Sequence, residues 1–220
     1  MEWAHCPHRI VGGEEPGVRD MPAMLRRRAG FLGKMALEVA YRCLGRRVDI
    51  PVVFSSRHGE ASRSVDLLLD LARGTPLSPA SFSLSVHNAS CGLYSIARGD
   101  RASGTALSAG KSSVEYAVIE ACGLLAEGAP AVLMVAYDCP LPSLYSAFQD
   151  CDEQPFAWAW LMEPPSGDAL SLSWSTVREC ERLAASELPP GLEILRFYLS
   201  QASSLMRISN EKQWLWTRHV

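Results

Sequence analysis

Residues 103–113, SGTALSAGKSS, partly spell two different active sites. Gly110-Lys111-Ser112 matches the end of a phosphate loop, in which glycine-rich backbone amides wrap phosphates and a lysine reaches their terminal groups. The loop needs its first glycine at 105, which is Thr105, and Gly104 comes one residue early. No apolar strand is read leading straight into it. Ala106-Leu107-Ser108-Ala109-Gly110 is a relaxed nucleophile elbow, where small residues let the chain turn sharply and expose a serine. Chain order then offers Asp138 or Asp168 and finally His219, so Ser108 is the candidate nucleophile of a serine esterase or acyl-thioesterase.

Four further constellations carry polar chemistry. Ser55-Ser56-Arg57-His58-Gly59-Glu60 follows an apolar run, at the carboxyl end of a strand where ligand sites gather in α/β proteins. Arg57 and His58 are candidates for binding an anionic carrier or substrate, with Glu60 orienting one of them. The structural alternative is an Arg57–Glu60 pair that fixes the loop. His87-Asn88 heads a helical stretch, with Asn88 a natural N-cap and His87 either a satisfied loop residue or a ligand contact. Arg26-Arg27-Arg28 with Lys34 makes a local basic patch, which is either a solvated helix face or a docking surface for an acidic partner. His5-Cys6-Pro7-His8 lacks a second ligand pair at zinc spacing, so no metal site is expected.

The elements that must position these groups follow from periodicity. Residues 22–45 keep helical spacing between Pro22 and Gly45, "DIPVVFSS" reads as a buried strand, and "SRSVDLLLDLARG" is helical up to Gly74. Phe82–Val86 is either a strand or the approach to a helix over Ala89–Ala97. "KSSVEYAVIEACGLLAEG" is a helix with Val114, Ala117, Val118, Ala121, Cys122 and Leu125 on one face, and "AVLMVAYD" is a fully apolar strand ending at Asp138. "FAWAWLME", "ALSLSWST" and "QWLWTRHV" alternate as antiparallel strands do, with a helix over residues 191–205 between the last two. The sum is an α/β fold, a layered structure with a parallel core and antiparallel edge strands.

At 220 residues the chain suits one domain, 1–220. Hydrophobic residues at 48% and a net charge of −3 describe an ordinary globular protein and give no reason to expect nucleic acid. Seven cysteines form no CxxC pair and read as reduced, mostly buried thiols of a cytoplasmic protein. No apolar run approaches the roughly 20 residues that span a bilayer.

"LRRRAGFLGKMALEVA", "PVVFSSRHGE", "LSPASFSLSVHNASCG" and the helix and strand after Lys111 together resemble the β-ketoacyl synthase-like N-terminal domain family, which is related to chain-length factors. The resemblance is strongest over 21–138. It implies half of a thiolase-fold condensing enzyme. In active ketosynthases of this fold a cysteine sits at the head of a central helix, where backbone amides and the helix dipole favour a thiolate. Counting back from Gly128 by the family's interval puts Lys111 in that place, or Gly110 if the loop differs by one, with Ser112 beside it. The family's second-half histidines have no counterparts. The resemblance therefore implies a non-catalytic, chain-length-factor-like accessory protein of fatty-acid or polyketide biosynthesis, aryl polyene-type pathways included, with a vacated nucleophile seat and no cofactor. Its expected partners are a ketosynthase subunit or a second copy of itself, and an acyl carrier protein docking on Arg26, Arg27, Arg28 and Lys34.

Overall fold

The computed structural model describes residues 2–5, 9–10, 14–177 and 187–219. Its centre is a four-stranded mixed sheet in the order β2-β1-β3-β4, built from β1 (Val52–Ser55), β2 (Gly104–Leu107), β3 (Val132–Asp138) and β4 (Phe156–Met162). β2 and β3 flank β1 in parallel, and β4 runs antiparallel to β3 with Asp138 opposite Phe156. The apolar run of β3 is buried along its whole length because both faces are covered.

Strand alternation divides those side chains between two cores. Val52, Phe54, Leu133, Val135 and Tyr137 meet α3 (Phe31–Leu44) and α6 (Ala89–Arg98). Val53, Val132, Met134 and Ala136 meet α7 (Ser113–Ala126) and α8 (Pro190–Ser200) on the other face. Short helices α1 (Glu2–His5) and α2 (Ala23–Arg26), then α4 (Ala61–Ala72) and α5 (Pro79–Ser83), complete the helical set. A second sheet, β5-β7-β6, is wholly antiparallel and consists of β5 (Ala169–Thr176), β6 (Ser204–Ser209) and β7 (Lys212–His219). It joins the α7–α8 core through Trp216.

Several expectations are corrected. The helical pattern over 22–45 is two helices, broken at Gly30, whose extended backbone is the N-cap of α3. The region around Phe82 is helix α5, opened by Pro79 and by the Ser78 hydroxyl accepting from Ser81 N. β2 leads directly into the Gly110-Lys111-Ser112 loop; its half-exposed edge position conceals it from an apolar-run reading. The helix expected over 191–205 ends at Ser200, Gln201 takes a left-handed conformation, and β6 begins at Ser204. The alternating C-terminal strands form their own sheet; of the three expected, only β4 edges the parallel core. Of the described cysteines only Cys91 is buried and Cys122 is exposed, while Cys6 and Cys180 lie outside the described residues.

Candidate functional site

The carboxyl ends of β1, β2 and β3 converge on one corner. Asp138, the last residue of β3, turns its buried carboxylate onto the loop after β1 and accepts from Arg57 N at 3.0 Å, His58 N at 3.2 Å and Ser56 Oγ at 2.7 Å. Burial pushes the Asp138 carboxyl up, and these three donors oppose that shift. Ser56 Oγ also accepts from Gly59 N, and His87 Nε2 pairs with Ser56 O at 2.9 Å. The loop is thus held from two sides, and His87 serves it structurally. Asn88 occupies the N-cap position of α6, but its side chain makes no capping bond there.

The loop's charged side chains each have a partner. Arg57, whose side chain is only 10% exposed, places Nη2 3.0 Å from both carboxylate oxygens of Asp150. His58 Nε2 lies 3.1 Å from Glu153, whose other oxygen accepts from Leu141 N. Glu60 pairs with Arg63 at 3.3 Å, so the expected Arg57–Glu60 pair is replaced by two separate ones. The Glu60 carboxyl lies beside Gly33 at the head of α3 and is pushed up by burial.

Lys111 stands in the middle of a 3-10 turn, Gly110–Ser112, that feeds α7. Gly110 has φ of +56°, a conformation glycine adopts without the cost of a side chain. The Ser113 hydroxyl donates to Gly110 O at 2.7 Å and accepts from Ala109 N at 3.0 Å, which closes the turn. Lys111 Nζ reaches the carboxylate of Asp150 at 3.3 Å. Arg57 and Lys111 therefore share one carboxylate, and although partial burial works against it, the two cations hold the Asp150 carboxyl below the usual range. Burial pushes the neighbouring Cys139 thiol up to about 12 and raises Cys151 as well.

The second sheet braces this turn from behind. Asn210 Nδ2 donates to Ala109 O at 3.0 Å, Arg207 Nη2 to Lys111 O at 3.3 Å, and Trp214 Nε1 to Ser112 Oγ at 3.1 Å. Ser112 and Ser209 share a 2.5 Å hydroxyl contact. Arg207 is buried between Glu115 of α7 and Glu193 of α8, the latter at 2.7 Å. Sequence reading missed Arg207, Glu115, Glu193, Asp150 and Glu153. The acidic run 149–154, QDCDEQ, is the signal that could have pointed to the last two.

The triad suggested by chain order is not assembled. Ser108 Oγ donates to Arg57 O at 3.0 Å, and Asp138 is committed to the β1 loop. Asn210, just before β7, touches Ala109, whereas His219 ends that strand roughly 23 Å further along at about 3.3 Å per residue. There His219 Nε2 contacts Ser171 Oγ at 2.8 Å, and Asp168 precedes Ala169, the register partner of His219. The phosphate-loop lysine is likewise taken by Asp150. In the basic patch, Lys34 pairs with Glu15 at 2.9 Å, Arg26 Nη1 lies 3.5 Å from Val18 O, and Arg27 and Arg28 are exposed. Among the described residues no three His, Cys, Asp or Glu side chains group as metal ligands, and Cys6 and His8 lie outside them.

A parallel core with an antiparallel edge, and a strand turning through a tight loop into a central helix, define a thiolase-like ketosynthase half. The chain belongs to the family described as beta-ketoacyl synthase, N-terminal domain, whose model matches residues 1–217. It is similar to a chain of the ketosynthase (ApeO) in complex with its chain length factor (ApeC) from Xenorhabdus doucetiae, at 28% identity and a TM-score of 0.83. That match covers 99% of this chain and 90% of the other, so the two are of nearly equal length. The ishigamide ketosynthase/chain length factor matches at 15% identity and a TM-score of 0.62, over 76% of this chain and 54% of that one. A beta-ketoacyl synthase from Burkholderia phymatum STM815 matches at 16% and 0.54, over 67% and 40%. These last two show the common fold. No curated protein sequence matches the chain. Among the described residues no helix is long and apolar enough to cross a membrane.

Proposed function

We propose that this protein is a non-catalytic, chain-length-factor-like accessory subunit of fatty-acid or polyketide biosynthesis that pairs with a ketosynthase. The observation that carries the reading is Lys111 at the head of α7; on the family interval counted from Gly128, this reading gives it the place of a condensing enzyme's thiol. A lysine side chain offers no thiol and forms no thioester, and this one is tied to Asp150. The similarity in length and fold to a chain from a ketosynthase and chain length factor complex supports the same reading.

On this reading the protein acts in the cytoplasm and uses no cofactor. Its scaffold contributes surface to a complex, and the thiol nucleophile and histidines of condensation belong to the partner. Arg27 and Arg28, the exposed part of the basic patch, supply charge that speeds encounter with an acidic acyl carrier protein. Reconstitution tests this function: the chain alone condenses nothing, and a ketosynthase with it elongates acyl carrier substrates differently from the ketosynthase without it. Identical product profiles with and without the chain would reject it.

A further inference from the structure

At the amino ends of β1 and β2, away from the Lys111 corner, α6 encloses a cavity of about 190 Å³ against the sheet. Ile50, Val52 and Cys91 give it an apolar wall, and burial pushes the Cys91 thiol up to about 11, so that it stays neutral. Tyr94 and Asp100 belong to the same lining, and Gly92 and Gly104, both exposed, stand where the cavity meets solvent.

The polar side of this cavity is unsatisfied. Tyr41 OH, Tyr94 OH, Arg98 Nε and Asp100 Oδ2 are all buried without a hydrogen-bond partner among the described residues. They lie together: the Tyr41 and Tyr94 rings are 5.7 Å apart, and the Arg98 guanidinium stands 5.6 and 5.5 Å from their centres. The other Arg98 nitrogens are committed to Gly45 O and Arg47 O, and Asp100 Oδ1 accepts from Ala102 N at 3.0 Å. Buried polar groups are nearly always paired, so a cluster of four orphans beside one cavity calls for a polar occupant. Burial pushes the Tyr94 phenol up and keeps it protonated, while Arg98 and Asp100 act on it with opposite sign. The cavity thus offers a hydroxyl donor and a carboxylate acceptor in a setting of balanced charge.

We propose that this cavity binds a small uncharged molecule whose head both donates and accepts, a primary carboxamide or alcohol, with a short aliphatic tail. The head donates to Asp100 Oδ2 and accepts from Tyr94 OH, and the tail lies against Ile50, Val52 and Cys91. Charge selects this class: an ammonium is repelled by Arg98 and a carboxylate by Asp100, whereas a neutral head meets neither penalty. Size limits it further, since the volume is below the roughly 300–1,000 Å³ of sites for drug-sized ligands. The site is independent of the accessory function, because it lies at the opposite end of the strands from Lys111. Its ligand joins α6 to the loop that enters β2.

The test titrates butyramide into the full-length, isotope-labelled protein and follows amide shifts by NMR, with butyrate and n-butylammonium as charged controls. A Kd on the order of millimolar is expected, with shifts centred on α6 and residues 100–104 and weaker binding of both controls. Tyr94→Phe removes only a hydroxyl that no protein group bonds, so the unfolding midpoint is expected to hold while butyramide binding weakens about fivefold. Gly92→Leu adds a side chain at a position where a Cβ meets nothing within 4 Å, and is expected to close the mouth and abolish binding with the fold intact. Binding that both variants leave unchanged, or that shifts no resonance of the lining, would overturn the proposal. Tighter binding of n-butylammonium than of butyramide would show that the Asp100 charge rules the site and that the assigned class is wrong. A crystal structure grown with saturating butyramide that shows only ordered water in the cavity would overturn it as well.

Discussion

Lys111 Nζ lies 3.3 Å from the Asp150 carboxylate and 3.3 Å from the Asp150 carbonyl, so the residue at the head of the central helix is tied to the loop after β3. A free ammonium beside the positive end of a helix is unfavourable, and the carboxylate offsets that repulsion. On the proposed function, replacing Lys111 by cysteine supplies a thiol at the vacated nucleophile seat without supplying the rest of a condensing site. Lys111→Cys is expected to react with iodoacetamide and to show no condensation on its own, measured by acyl elongation. Elongation by the isolated variant would show that the scaffold retains a working site.

Asp150→Asn is expected to destabilise the fold modestly, by up to about 1 kcal/mol, since the Asp150 and Lys111 side chains are more than a third exposed and solvent screens them. The pH dependence has a definite sign. The folded carboxyl is held below its unfolded value, so its contribution is fully present above about pH 4 and is lost as pH falls through the folded pKa. Urea unfolding of wild type and variant should therefore differ at pH 7 and converge in strong acid.

Glu115 and Arg207 join α7 to β6 with both side chains almost wholly buried. Burial pushes the Glu115 carboxyl up and Arg207 opposes it. Removing either partner strands a buried charge, so Arg207→Met alone is expected to cost about 3–5 kcal/mol. Glu115→Leu with Arg207→Met should recover much of that loss, read from the urea midpoint. Loss equal to the sum of the single changes would show that the pair is not coupled.

Gly59 has φ of +54°, and a Cβ there would stand 2.8 Å from the His87 ring. Gly59→Ala is expected to lose more than about 1 kcal/mol and to displace His87 from Ser56 O. Gly59→Ala with His87→Ala relieves the contact but leaves the strained backbone, so only part of the loss returns. Thermal unfolding of the three proteins checks the order.

Ser108→Ala removes one hydrogen bond, to Arg57 O, worth about 0.5–1.5 kcal/mol. Hydrolysis of acyl thioesters is expected to stay at the level of buffer in both proteins. Serine-dependent hydrolysis in wild type, abolished in the variant, would revive the hydrolase reading.

The parts of the fold that were legible are those where one face or both faces are buried. β3 is apolar throughout because two helical layers cover it, and β4, β5 and β7 alternate because each has a wetter face. β2 was not legible because a free edge needs no apolar run, and β6 was hidden because Leu205 and Ile208 are three apart, as on a helix. Lys111 could be placed through family spacing counted from Gly128. Its partner could not, since Asp150 lies 39 residues away on a loop whose course no periodicity records. The same holds for Arg57, which faced Glu60 in sequence and Asp150 in space.

The most direct test of the central claim is the activity of a purified complex of this chain with its ketosynthase, with the two nucleophile positions changed one at a time. The proposed function predicts that replacing the ketosynthase's cysteine abolishes elongation, while Lys111→Met leaves its rate within about twofold. Elongation that survives loss of the partner's cysteine, or that Lys111→Met abolishes with the complex intact, would contradict it.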